Sequence, residues 1–137
     1  MKITFKKIIS LVLVVVLFAL LFTMSCLAGK VSKEYDAKFT YIATCGGSID
    51  HGTFSTTVTA KITGKASVTS VKIKMELQKL SSGTYSTIKT WEETFSGNVG
   101  SMEESKVTNA LSTYRLKATF TAYSGSASET KTVYFDE

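Results

Sequence analysis

From Val71 to Gln78 the chain reads Val-Lys-Ile-Lys-Met-Glu-Leu-Gln, apolar and polar in turn for eight positions without a break. Neighbouring side chains of an extended strand point to opposite faces, so this run predicts a strand with one buried and one wet face and fits no helix. Tyr114 to Ala122 alternates in the same way, with Tyr114, Leu116, Ala118, Phe120 and Ala122 on one face and Arg115, Lys117, Thr119 and Thr121 on the other. Phe54, Thr56, Val58, Ala60 and Ile62 form a third such run. Thr130 to Phe135, rich in β-branched and aromatic residues, forms a fourth.

Three further segments complete the pattern: Lys38 to Cys45, continuing past a kink at Gly46-Gly47 to His51, then Tyr85 to Phe95, and Met102 to Thr108. Turn formers fall between them at Gly46-Gly47, His51-Gly52, Gly64-Lys65, Ser81-Ser82-Gly83-Thr84, Ser96-Gly97-Asn98 and Ser124-Gly125-Ser126. Helix formers are scarce, and 33 of the 109 residues from Gly29 onward are Ser or Thr. Seven strands with turns about every ten residues predict an all-β fold, a single antiparallel β-sandwich. A β-barrel is the alternative. In the Val71 to Trp91 hairpin, Lys72 and Lys74 face a strand ending Trp91-Glu92-Glu93, so opposite charges can pair across it and set the register.

The first 28 residues belong to a different kind of segment. Lys2, Lys6 and Lys7 precede an apolar run from Leu11 to Phe22, and small or polar residues follow at Thr23, Ser25 and Ala28. That order is the one of a secretory signal peptide, with Cys26 and Ala28 small enough for cleavage before Gly29. The expected organisation is a signal peptide at 1–28, a domain at 29–137 and a secreted, extracellular product. A retained anchor is disfavoured by a run shorter than the roughly 20 residues a bilayer requires. The other alternative is a lipoprotein cleaved after Ser25 and held on a membrane through a lipidated Cys26.

Removing 1–28 takes away three lysines and no acid, leaving 13 basic and 11 acidic residues. No Lys/Arg stripe survives, which argues against an electrostatic footprint for nucleic acid or an anionic membrane, so nucleic acid is not expected as a partner and a membrane only if Cys26 is lipidated. Cys45 is then the only cysteine, which excludes an internal disulfide and suggests a buried small hydrophobe. His51 is the only histidine, and six residues from Cys45 it makes a poor base for a thiol nucleophile. Glu92-Glu93 and Glu103-Glu104 are strand neighbours whose side chains diverge, so neither forms a catalytic carboxylate pair. Asp50-His51 is the only plausible metal-ligand pair, and two adjacent residues do not make a site. The chain therefore predicts no enzyme, no metal and no cofactor. Among the aromatic residues, Tyr85 and Tyr123 lie next to turns and are the best candidates for an exposed sugar-binding platform.

The segment Leu111-Ser112-Thr113-Tyr114-Arg115-Leu116-Lys117-Ala118 resembles the run of fibronectin type III and related immunoglobulin-like domains that carries the strand-F tyrosine. The resemblance implies that the Tyr114 hydroxyl bonds to backbone near Ala110 or Leu111, fixing the entry to that strand. Trp91 lies later in the chain than the core Trp of those families, and Pro is absent altogether. With its "LQKLSSGTYSTIKTW" hairpin and "TYRLKATFTAY" strand, the chain is similar to small secreted Ser/Thr-rich sandwich proteins of Gram-positive bacteria. Tyr114, Trp91 and Cys45 are then structural residues. The resulting expectation is an exported, non-enzymatic protein acting by contact with an unidentified protein or carbohydrate surface. A secreted effector, either a bacteriocin-like toxin or an enzyme inhibitor, is the alternative.

Overall fold

The computed structural model describes residues 31–36 and 39–137; the expected signal segment, with Cys26, Ala28 and Gly29, lies outside the described residues. Eight strands follow one another: β1 (Val31–Asp36), β2 (Ile42–His51), β3 (Ser55–Gly64), β4 (Ser70–Ser81), β5 (Thr84–Ser96), β6 (Val99–Val107), β7 (Tyr114–Ser124) and β8 (Ala127–Asp136). They form two four-stranded sheets, in the orders β1-β2-β3-β6 and β5-β4-β7-β8. Every pairing is antiparallel.

The alternating runs explain why the two sheets pack together. On β4, Val71, Ile73, Met75 and Leu77 are fully buried, while Lys72, Lys74 and Glu76 stand partly exposed on the opposite face. Leu116, Ala118, Phe120 and Ala122 of β7 are buried in step with them, Phe120 opposite Ile73 and Leu116 opposite Leu77. The other sheet answers with Ile42, Cys45 and Ile49 of β2 and Val58, Ala60 and Ile62 of β3, all in one core cluster. A core enclosed between two open sheets makes this a sandwich and sets the barrel aside.

Two expectations need correction. There are eight strands among the described residues, not seven, because β1 precedes β2 and pairs with it from Val31↔Ile49 to Asp36↔Thr44. Only Val31 and Tyr35 of β1 are apolar or aromatic, so no alternation announces this strand. Gly46-Gly47, expected as a kink, lies inside β2, whose one irregularity falls between Ile42 and Thr44. At Gly47 a Cβ would stand 2.5 Å from the Thr59 carbonyl oxygen and 3.1 Å from the Phe135 ring, so the glycine admits a neighbouring strand and an aromatic cover. Positive φ occurs instead in the β4–β5 turn, at Ser82 (50°) and Gly83 (78°), the signature of a two-residue hairpin loop.

The strand directions give the sandwich two distinct poles. The entry to β1, the β2–β3, β4–β5 and β6–β7 connections and the end of β8 lie at one pole. The remaining connections lie at the other. At the first pole the Asn109 N–H donates to the Tyr114 hydroxyl at 3.1 Å, one residue upstream of the expected partners. His51 Nδ1 bonds the Thr56 hydroxyl (2.7 Å), which bonds that of Thr108 (2.8 Å), and the His51 ring lies 4.9 Å from the Tyr114 ring. These contacts tie the β2–β3 turn to the β6–β7 loop. Leu111, part of the family-like run, is 95% exposed, so the likeness does not extend to a core role for that residue.

Candidate functional site: the outer face of the second sheet

The polar residues of β4 and β7 share the outer face of their sheet with Glu92 of β5 and with Thr130, Thr132 and Tyr134 of β8, because β4 and β7 spend their other face on the core. Lys72 Nζ meets Glu92 at 2.8 Å and Lys117 Nζ meets Glu76 at 3.0 Å, so two of the basic side chains are paired. The first pair realises the cross-strand charge match between β4 and β5. Partial burial pulls the Glu76 carboxyl up, but the hydrogen bond and charge of Lys117, with Lys74 and Thr87, outweigh it and leave it below the ordinary carboxylate range. Hydroxyls of Thr119 and Thr132, and of Thr121 and Thr130, bond across β7 and β8 at 3.2 and 3.0 Å.

Near the first pole this face carries a stack that no segment of the sequence announces. The Arg115 guanidinium lies 3.9 Å from the centre of the Tyr85 ring and 4.6 Å from that of Tyr134. Its Nε–H donates to Gln78 Oε1 at 2.7 Å, and Gln78 Nε2 donates in turn to Thr87 at 3.1 Å. Arg115 is thus held against two rings, each such contact contributing on the order of 1 kcal/mol. Its two terminal nitrogens have no hydrogen-bond or ion-pair partner among the described residues. They form a preorganised fork of the kind that matches a carboxylate.

Three strands supply this stack, and its assembly depends on register. Ile88 is the extra residue of a bulge in β5, since Leu77 opposes Lys89 while Gln78 opposes Thr87. The bulge places Tyr85 on the outer face. Tyr123 also faces outward, but from the far end of β7, opposite Ser70, whereas Tyr85 lies opposite Leu80. Ten residues of strand separate these two ends, about 33 Å. The structure therefore does not join Tyr85 and Tyr123 in one platform; Tyr85 is joined by Arg115 and Tyr134.

The other candidate residues stay apart. Cys45 is buried and free, and burial pushes its thiol up against the opposing influence of Lys131. Six residues along the same strand put His51 about 20 Å away. Trp91, half-buried, opposes Met75 and packs against the core, with Lys89 Nζ 5.8 Å from its ring. Asp50 is exposed while His51 faces the polar cluster at the pole. Among the described residues, no group of three His, Cys, Asp or Glu side chains could hold a metal ion. Compared with the models of known protein families and with curated proteins, the chain matches none.

Proposed function

We propose that the chain is an exported, non-enzymatic, immunoglobulin-like module that acts by surface contact through the outer face of the β5-β4-β7-β8 sheet. The observation that carries this reading is the Tyr85–Arg115–Tyr134 stack with its unengaged guanidinium fork. A held, half-desolvated arginine between aromatic rings is what a contact surface uses to bind an acidic partner with little loss of side-chain entropy. The immunoglobulin-like assignment is supported by the order β2-β3-β6 facing β5-β4-β7-β8 and by the Tyr114 tie to the preceding loop. Export, and a place among the secreted sandwich proteins of Gram-positive bacteria, is supported by the basic, apolar and small-residue order of 1–28.

Two probes test the surface: polygalacturonate, a carboxylate-bearing polysaccharide, and polyglutamate, a carboxylate-bearing polypeptide. Retention on one of them is expected, with Arg115→Ala weakening it about tenfold or more and Tyr123→Ala leaving it unchanged. Absence of retention on both, or retention indifferent to Arg115, would defeat the carboxylate reading. Killing of neighbouring bacteria or inhibition of a secreted enzyme by the same protein would move it to the effector class.

A further inference from the structure

The three most exposed large apolar side chains of the described residues share the first pole. Phe54 in the β2–β3 turn is 79% exposed, Val107 at the end of β6 83% and Leu111 in the β6–β7 loop 95%. Phe54 and Val107 belong together in space, since Ser55 opposes Val107 in the sheet and the Thr108 N–H donates to the Phe54 carbonyl at 3.0 Å, and Leu111 follows in the loop that leaves β6 at the same pole. A sandwich with a filled core gains nothing from holding three such groups in water, and clustering at one end is what a binding surface shows.

We infer that this pole seats in a lipid bilayer, with Phe54, Val107 and Leu111 entering its interfacial region. Two further observations choose lipid as the occupant. The first is where the chain enters. Val31 pairs with Ile49, so β1 begins at this pole. The apolar run ending at Phe22 lies only the eight residues 23–30 upstream, a reach of at most about 30 Å. The opposite pole stands about 33 Å further along β2. With the run kept, or replaced by a lipid on Cys26, the domain reaches the membrane by this end. The second is that part of the loop backbone is already paired internally. The Gly52 N–H bonds to Ser55 O (2.8 Å), the Leu111 N–H to Asn109 Oδ1 (2.8 Å) and the Ser112 N–H to Asn109 O (3.1 Å). Each donor so paired is one polar group fewer to strand when the loops leave water. The neighbouring charges, Asp50, Lys106, Asp136 and Glu137, are of both signs, so insertion is apolar rather than electrostatic and independent of the carboxylate-binding face.

The test uses the full chain reconstituted on phosphatidylcholine vesicles, with a tryptophan placed at one pole or the other while Trp91 remains as a constant background. Leu111→Trp is expected to shift its emission to shorter wavelength and to be quenched by brominated phosphatidylcholine, and Ser126→Trp to do neither. In flotation of the exported form, Phe54→Ser with Val107→Ser and Leu111→Ser is expected to lower vesicle partitioning about 100-fold. Raising the salt, or adding phosphatidylglycerol, should change it little. Equal quenching at both poles, no quenching at Leu111→Trp, or unaltered flotation of the triple variant overturns the inference. Concentration-dependent self-association abolished by the triple variant, without lipid quenching, overturns it in favour of a second copy of the chain.

Discussion

At the scale of single residues, Gly47 shows how a position can matter by what it lacks. The Thr59 carbonyl and the Phe135 ring occupy the space where any other residue has its Cβ. Gly47→Ala must push β3 or Phe135 aside and is expected to cost about 2 kcal/mol or more, read as a fall in the urea midpoint without a change in slope. Nothing in the sequence distinguished this glycine from a turn former, because the contact is made by β3 and β8, residues distant along the chain. Tyr85 was legible as an aromatic beside a turn, and in the sheet it is half-buried. Its partners were not legible: Arg115 reads only as one polar position of an alternating strand, and the bulge at Ile88 that brings the ring over it follows from cross-strand geometry.

The elements divide by how much core they supply. β4 and β7 alternate because each gives one face to the core and one to water, and both were readable over their central residues. β5 is an edge strand whose core-side positions include Lys89 and Glu93 beside Trp91 and Phe95, so its pattern is blurred. Such inward charges discourage another chain from adding to the edge. At the opposite side of the sandwich, Glu129 of β8 fastens the entry to β2. Its carboxylate accepts the N–H groups of Thr40 (2.9 Å), Tyr41 (2.7 Å) and Ile42 (2.9 Å). Desolvation raises its affinity for a proton, but the three backbone donors and Lys65 prevail and hold it below the ordinary carboxylate range. Glu76 is held low as well. In acid the unfolded chain therefore binds more protons than the folded one, and this stability is present above the ordinary carboxylate pKa and lost as pH falls through the folded values. Denaturation followed from about pH 6 to about pH 3 should show the loss. Glu129→Gln should flatten that dependence and, with solvent screening discounted, cost about 1 kcal/mol at neutral pH.

For the molecule as a whole, the two poles are built differently. The pole that receives β1 carries the apolar tips, the histidine cluster and the arginine stack, while the other is closed by short turns such as Gly125-Ser126. A short Gly/Ser insertion between Gly125 and Ser126 should cost about 1 kcal/mol or less and leave vesicle and carboxylate binding intact, as measured by thermal unfolding and the two binding assays. This polarity was hidden in the sequence for a simple reason. Phe54 heads one alternating run and Leu111 stands shortly before another, so both look like core residues until the sheet pairings show that the strands begin after them. The eighth strand also has a mechanical consequence. Because β1 starts at the pole where β8 ends, a pull between Val31 and Glu137 loads the outermost strands at one end of their ladders. Hydrogen bonds then open one after another instead of sharing the load in shear, and a domain so tethered yields to small forces by peeling β1 away while its core stays folded.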